Sequence, residues 1–147
     1  MNDIVTDAIG PAPKEGFTPR MRPSPLTDPW EPIYAREMPG RVDLDLWLRE
    51  AHCNARGFVH GGLISALADN SMGHSCRAVL AGENSLLTVN LSIDFLGIAR
   101  TGAWLEIIST VVKAGRNLCF AECKITADGE ICARGTATFK VTKVTQK

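Results

Sequence analysis

The chain carries no excess of either charge: 16 Lys and Arg residues are balanced by 16 Asp and Glu residues. Without a net field, general attraction to nucleic acid or to an anionic membrane is excluded, and an anionic ligand must be met by a local basic patch. No apolar run approaches the roughly 20 residues of a membrane-spanning helix, so no membrane association is expected. Nor does any segment near the N-terminus have the form of a secretory signal. The cysteines, Cys53, Cys76, Cys119, Cys123 and Cys132, contain no C-x-x-C pair. An odd count without that spacing reads as free thiols in a reducing compartment, and a cytoplasmic protein is expected. His52, Cys53, His60 and His74 match no metal-ligand spacing, so neither a metal nor another cofactor is expected. Repeats and low-complexity blocks are missing too.

What remains, 147 residues with 45% apolar and 22% charged side chains, is the composition of one globular domain with a single core. Residues 1–30 hold most of the prolines, which rules out a continuous helix or a central strand there. This segment is expected to be loose over its first dozen residues. Beyond them it is expected to wrap the surface through Phe17, Leu26 and Trp30, with a short helical turn between Ser24 and Trp30. A domain is expected over residues 31–142, followed by a short tail at 143–147.

Ile33 to Glu37 and Arg41 to Glu50 read as two strands joined at Pro39-Gly40. In the second, Val42, Leu44, Leu46 and Leu48 alternate with Asp43, Asp45, Trp47 and Arg49. Trp47 on the polar parity suggests a covered second face, with another subunit as a candidate cover. A loop from Ala51 to Val59 then leads to a long helix whose apolar face is Leu63, Ile64, Leu67, Ala68, Ser71, Met72, Ser75 and Val79. Leu87, Val89, Leu91, Ile93 and Phe95 alternate strictly with Thr88, Asn90, Ser92 and Asp94, which predicts a strand. Three more are expected over Trp104 to Lys113, Asn117 to Thr126 and Ile131 to Val141, the last pair joined at Asp128-Gly129. Two strands, a helix and four strands make an α+β layout, with an antiparallel sheet able to wrap around one central helix.

The chemistry concentrates where the helix begins. Gly61 and Gly62 let a ligand approach the backbone closely. First-turn amides have no intrahelical acceptor and sit at the positive end of the helix dipole, so they can hold a carboxylate, a phosphate or a developing oxyanion. Asn54 precedes His60 by six positions and Asp69 follows it by nine. The pattern N-x-x-G-x-x-H-G-G followed by L-x-D-N-x-M-G resembles the hotdog-fold thioesterases, specifically the PaaI-type acyl-CoA thioesterases.

That resemblance implies the hotdog fold, across roughly residues 32–141, and hydrolysis of an acyl-CoA thioester to a free acid and coenzyme A. It implies that the Gly61 amide polarises the thioester carbonyl, Asn54 supplies a nearby donor and the His60 ring braces the loop or assists that donor. Asp69 would act as general base on water or as a nucleophile, and the sequence does not choose between them. Asn70 is expected to be structural. Thr88 matches a Ser/Thr position that orients water in some relatives, yet its parity turns it away from the helix; only a bulge or a partner's site would bring it in. For coenzyme A, the Lys113-Ala-Gly-Arg116 turn resembles the family's K-x-G-R turn, against the alternative of a solvated hairpin. Arg100 and, less strongly, Arg56 are further basic candidates. Gly62, Phe58, Leu63 and Met72 are expected beside the acyl group.

Gly61 and Asp69 lie roughly 12 Å apart along one helix, too far to act on the same carbonyl. If both are catalytic they come from different subunits, with two helices antiparallel across a two-fold axis. A homodimer is therefore expected; the sequence leaves a dimer against a tetramer open, and the resemblance points to a dimer of dimers. The rival readings are a non-catalytic acyl-CoA-binding protein of the same fold, a hotdog dehydratase, whose Asp/His motif is not found here, and a purely structural oligomer.

Overall fold

The structure, a computed structural model, describes residues 10–20 and 24–144. The expected loose start lies largely in residues 1–9, and the last part of the tail in 145–147, outside the described residues.

The helix α1 (Gly61–Val79) forms because its apolar residues recur at 3.6 spacing and its first turn is capped. His60, in extended conformation, is the N-cap, and its ring accepts the Gly62 N–H. Leu63, Ile64, Leu67, Ala68, Ser71, Met72, Ser75 and Cys76 are buried. Each fully buried Leu, Ile or Met stabilises the fold by roughly 1.5–3 kcal/mol, so this stripe decides which way the helix faces. Val79, expected on that face, is 44% exposed. It packs over Gly40, which has no side chain to cover it, and Cys76 takes the last core position.

Around the helix wraps a seven-stranded antiparallel sheet in the order β1-β2-β3-β5-β6-β7-β4. The strands are β1 (Thr18–Pro19), β2 (Tyr34–Met38), β3 (Arg41–Trp47), β4 (Asn84–Phe95), β5 (Trp104–Ala114), β6 (Leu118–Ala127) and β7 (Glu130–Lys143). This is the hotdog architecture. β3 ends at Trp47, earlier than the alternation implied, and a 3-10 turn at Glu50–His52 follows. Asp128 and Gly129 both have positive φ, 48° and 85°, as a tight hairpin between β6 and β7 requires.

A polar seam fixes the helix on the sheet. Ser71 Oγ donates to the Val42 carbonyl at 2.9 Å and lies 2.8 Å from Ser109 Oγ, while Ser75 Oγ accepts the Val42 N–H at 3.0 Å. Buried hydroxyls must find partners, so these bonds set the register of α1 against β3 and β5 and with it the position of Asp69.

The outer face of β3 is covered by residues of the same chain. Phe17 packs edge-on against Trp104, with centroids 5.5 Å apart, and Trp47 packs against Trp104 at 4.8 Å. Trp47 Nε1 donates to the Ala12 carbonyl at 3.0 Å. The expected wrap thus exists, although Leu26 is 65% exposed and anchors nothing in the core. Beneath this cover Asp43 is bound by Arg36 and Arg41 at 2.9–3.0 Å, and Asp45 is fully buried.

The strict alternation read for β4 is broken. Its register against β7 jumps between Thr88 and Asn90, leaving Val89 as an extra residue. Leu86, Leu91 and Ile93 pack on the core, while Leu87 and Val89 are 60% and 53% exposed. One inserted residue reverses the parity of everything before it, which turns Thr88 towards the helix.

Candidate active site

The loop before α1 is built by its own side chains. Asn54 Oδ1 accepts the N–H groups of Arg56 (2.9 Å) and Phe58 (3.3 Å), and the Asn54 N–H donates to the Phe58 carbonyl at 2.8 Å. Gly57, with φ +79°, makes this turn possible. With its oxygen committed, Asn54 retains the Nδ2 donors, which have no acceptor among the described residues. The His60 N–H donates to the His52 carbonyl and Val59 N–H to the Ala99 carbonyl, both at 2.9 Å, so the chain enters the helix from a fixed direction.

At the helix start the donors divide unequally. Gly62 N–H donates to His60 Nδ1 at 2.8 Å, and the Leu63 and Ile64 N–H groups go to the His60 carbonyl. Gly61 N–H has no acceptor among the described residues. Both glycines sit close to a neighbouring ring. A Cβ on Gly62 would lie 2.9 Å from His60 Nδ1, and one on Gly61 would lie 3.1 Å from the Phe95 ring. The result is a side-chain-free amide without an acceptor among the described residues, at the positive end of a helix. Since Nδ1 is an acceptor, a neutral His60 carries its proton on Nε2.

Asp69 is half-buried two turns further on, and Thr88 Oγ1 donates to its Oδ1 at 2.7 Å. The parity that set Thr88 aside is therefore corrected: the bulge at Val89 brings it to the carboxylate. Oδ2 remains available to a water or a carbonyl carbon.

Other expected site residues lie in three places. Phe58 is at the loop, with the Arg100 guanidinium 4.6 Å and the Arg56 guanidinium 5.4 Å from its ring centroid. Lys113 and Arg116 are exposed on the β5–β6 hairpin. Lys113 lines a cavity shared with Gly40 and Val79, at the end of α1 remote from Gly61. Met72 is buried at 0% exposure in the core, away from any surface a ligand could reach in a single chain.

Two features were not foreseen. Phe95 stands over Gly61, with no signal beyond its being an apolar residue at a strand end. An apolar cavity of about 470 Å³ adjoins the helix start, lined by Leu26, Trp30, Ala51, His52, Cys53, His60, Gly62, Leu63 and Ala66. His52 is buried there: Nδ1 accepts the Arg49 N–H at 3.0 Å and Nε2 lies 2.8 Å from the Trp30 carbonyl. Burial holds its pKa below the ordinary histidine value, and the nearby Arg49 adds to this, against the bond to Trp30.

One helix inside a curled antiparallel sheet, with a bare glycine amide at its start and a Thr88-held carboxylate two turns along, defines a hotdog protein. The chain belongs to the thioesterase superfamily, whose pattern matches residues 56–133. The protein PA0474 of Pseudomonas aeruginosa, whose name calls it an esterase, is 36% identical over 126 residues, 85% of this chain and 94% of that one. Human acyl-coenzyme A thioesterase 13 is 34% identical over 104 residues, 68% of this chain and 72% of that one. Among solved structures, the BH2602 protein from Bacillus halodurans with CoA superposes with a TM-score of 0.68 at 27% identity, over 76% of this chain and 74% of that one.

Proposed function

We propose that this protein hydrolyses acyl-CoA thioesters, in a site assembled from two copies of the chain. The observation that carries the reading is the pairing of the unpartnered Gly61 N–H with the Thr88-held Asp69 carboxylate on one helix. A water supplies oxygen to the thioester carbonyl carbon, the carbon–sulfur bond breaks, and the products are a carboxylic acid and the thiol of coenzyme A.

Each group has a definite task. The Gly61 N–H and the Asn54 Nδ2 donors stabilise negative charge developing on the carbonyl oxygen, and they are already oriented before substrate arrives. His60 holds Gly62 in place and keeps the helix start open. Asp69 takes a proton from the attacking water, or attacks the carbonyl itself to give an anhydride that water then opens. Thr88 fixes which carboxylate oxygen is free.

The separation of roughly 12 Å between Gly61 and Asp69 supports a shared site, because one chain cannot bring both to the same carbon. β4 supports it as well. It is a 12-residue strand at the sheet edge, with Leu87, Val89 and Phe95 exposed beside Leu96 and Ile98. Long apolar edges of this kind are stable when paired. With two helices antiparallel, the Lys113–Arg116 hairpin of one chain approaches the helix start of the other, where its charges can meet the phosphates of coenzyme A. We further propose a dimer of dimers and a cytoplasmic location. The test is a free-thiol assay on purified protein with a panel of acyl-CoAs. Release of coenzyme A that is lost in Asp69→Asn supports the reading, and no release from any member of the panel contradicts it.

A further inference from the structure

We propose that the apolar cavity beside the start of α1 receives the acyl group, and that Leu26 and Trp30 of the N-terminal segment set a preference for acyl chains without polar substituents. This rests on the thioesterase reading above and adds to it a substrate class and two specificity-determining residues. Both residues precede residues 56–133, the stretch that matches the superfamily.

Position is the first argument. His60 and Gly62, the neighbours of Gly61 in the chain, form part of the cavity wall. Gly61 itself is not in the wall, so a carbonyl oxygen held by its N–H lies beside the cavity, one residue from His60 and Gly62.

The chemistry of the wall is the second. Leu26, Trp30, Leu63, Ala51 and Ala66 are apolar, and the polar lining groups are largely occupied. Both His52 nitrogens are bonded, and Cys53 Sγ lies 3.4 Å from Thr101 Oγ1. Among the polar side chains of the wall, His60 Nε2 alone has no partner among the described residues. A ring hydroxyl packed against this wall would gain no side-chain partner from it, whereas a methylene chain gains by leaving water.

The third argument is that the wall is built, not draped. Arg49 Nη2 donates to the carbonyls of Pro29 (2.9 Å) and Glu31 (2.7 Å), and Arg20 Nε binds Glu31 Oε1 at 2.7 Å. His52 ties the Trp30 carbonyl, and the 3-10 turn Asp28–Trp30 is held by Trp30 N–H to the Thr27 carbonyl at 2.9 Å. These bonds hold an exposed leucine at the cavity rim, where its burial in the single chain contributes little to the fold.

The test compares two non-hydrolysable thioethers, S-octyl-CoA and S-ethyl-CoA, by titration calorimetry on wild type, Leu26→Asp and Ala66→Phe. The first variant charges the rim, and the second fills the cavity from the helix side. S-octyl-CoA should lose at least tenfold in affinity relative to S-ethyl-CoA in both, about the effect of denying burial to two methylenes. In wild type, kcat/KM should be higher for octanoyl-CoA than for 4-hydroxyphenylacetyl-CoA. An octyl-to-ethyl ratio within twofold of wild type in both folded variants, or a preference for the hydroxylated acyl group, would overturn the proposal. If the ratio shifts as expected while no acyl-CoA is hydrolysed, the cavity assignment stands and the thioesterase reading fails.

Discussion

Thr88 donates a 2.7 Å hydrogen bond to Asp69, and it does so because Val89 is one residue too many for the ladder between β4 and β7. The bulge sits next to the residue it aims, on a strand whose outer side chains are exposed. Thr88 is thereby a positioning residue for the carboxylate. Thr88→Ala should lower kcat about tenfold with little change in KM, since what is lost is orientation during the reaction. Thr88→Ser should recover most of the rate. Asp69→Asn, which removes the proposed general base or nucleophile, should cost about a hundredfold or more. Steady-state kinetics on one acyl-CoA separates these, and a Thr88→Ala enzyme with wild-type kcat would contradict the role.

Gly62→Ala sets two effects against each other. The new Cβ would lie 2.9 Å from His60 Nδ1, so the ring must leave its cap. Losing an N-cap costs roughly 0.5–2 kcal/mol. Alanine's better helix propensity returns up to about 1 kcal/mol. Urea denaturation should therefore show a net change under about 1 kcal/mol, while kcat/KM falls at least tenfold because the helix start is no longer held open. Full activity in this variant would mean that the His60 cap has no part in the reaction.

The helix start, its buried face through Ser75 and the Asp128-Gly129 hairpin were legible because each is written locally, as spacing or as a turn dipeptide. The Asn54 turn and the His60 cap were legible only in outline. The sequence marks those positions, but not which nitrogen or oxygen each bond consumes. The bulge was hidden because Leu87, Val89 and Leu91 keep an apolar alternation straight through it. Trp47 signalled a covered face, yet nothing local distinguishes cover by Phe17 from cover by another chain. Trp30 and Leu26 meet the helix start only through long-range bonds from Arg49 and His52, which no periodicity announces.

Asp45 makes stability depend on pH. It is fully buried and neither carboxylate oxygen has a hydrogen-bond partner of normal geometry. Burial first, then Glu106 and Asp43, push its pKa from 3.8 up to about 8, and Arg36 and the Ile107 amide offset only part of this. Between those two values the folded chain keeps a proton that the unfolded chain has released. Stability contributed by the protonated form is thus complete below pH 3.8 and is lost as pH rises towards 8. Asp45→Asn should flatten this slope and raise Tm relative to wild type more at pH 8 than at pH 5. Parallel stability curves for the two proteins would contradict it.

Arg116→Ala should raise KM for acyl-CoA several-fold and leave a short thioester without the nucleotide little changed, since only ground-state binding of phosphate is lost. Equal losses on both substrates would assign the arginine to structure instead.

The shared site is tested most directly by mixing two inactive variants, Asp69→Ala and Asn54→Ala, and exchanging their subunits. In a mixed dimer one site carries both lesions, and the other has an intact Asp69 from one chain facing an intact Asn54 and Gly61 from the other. Random exchange makes about half the dimers mixed, so about a quarter of wild-type activity should return. Mass spectrometry of tagged chains establishes that mixed dimers are present. Mixed dimers with no activity above that of the separate variants would contradict a site built from two chains.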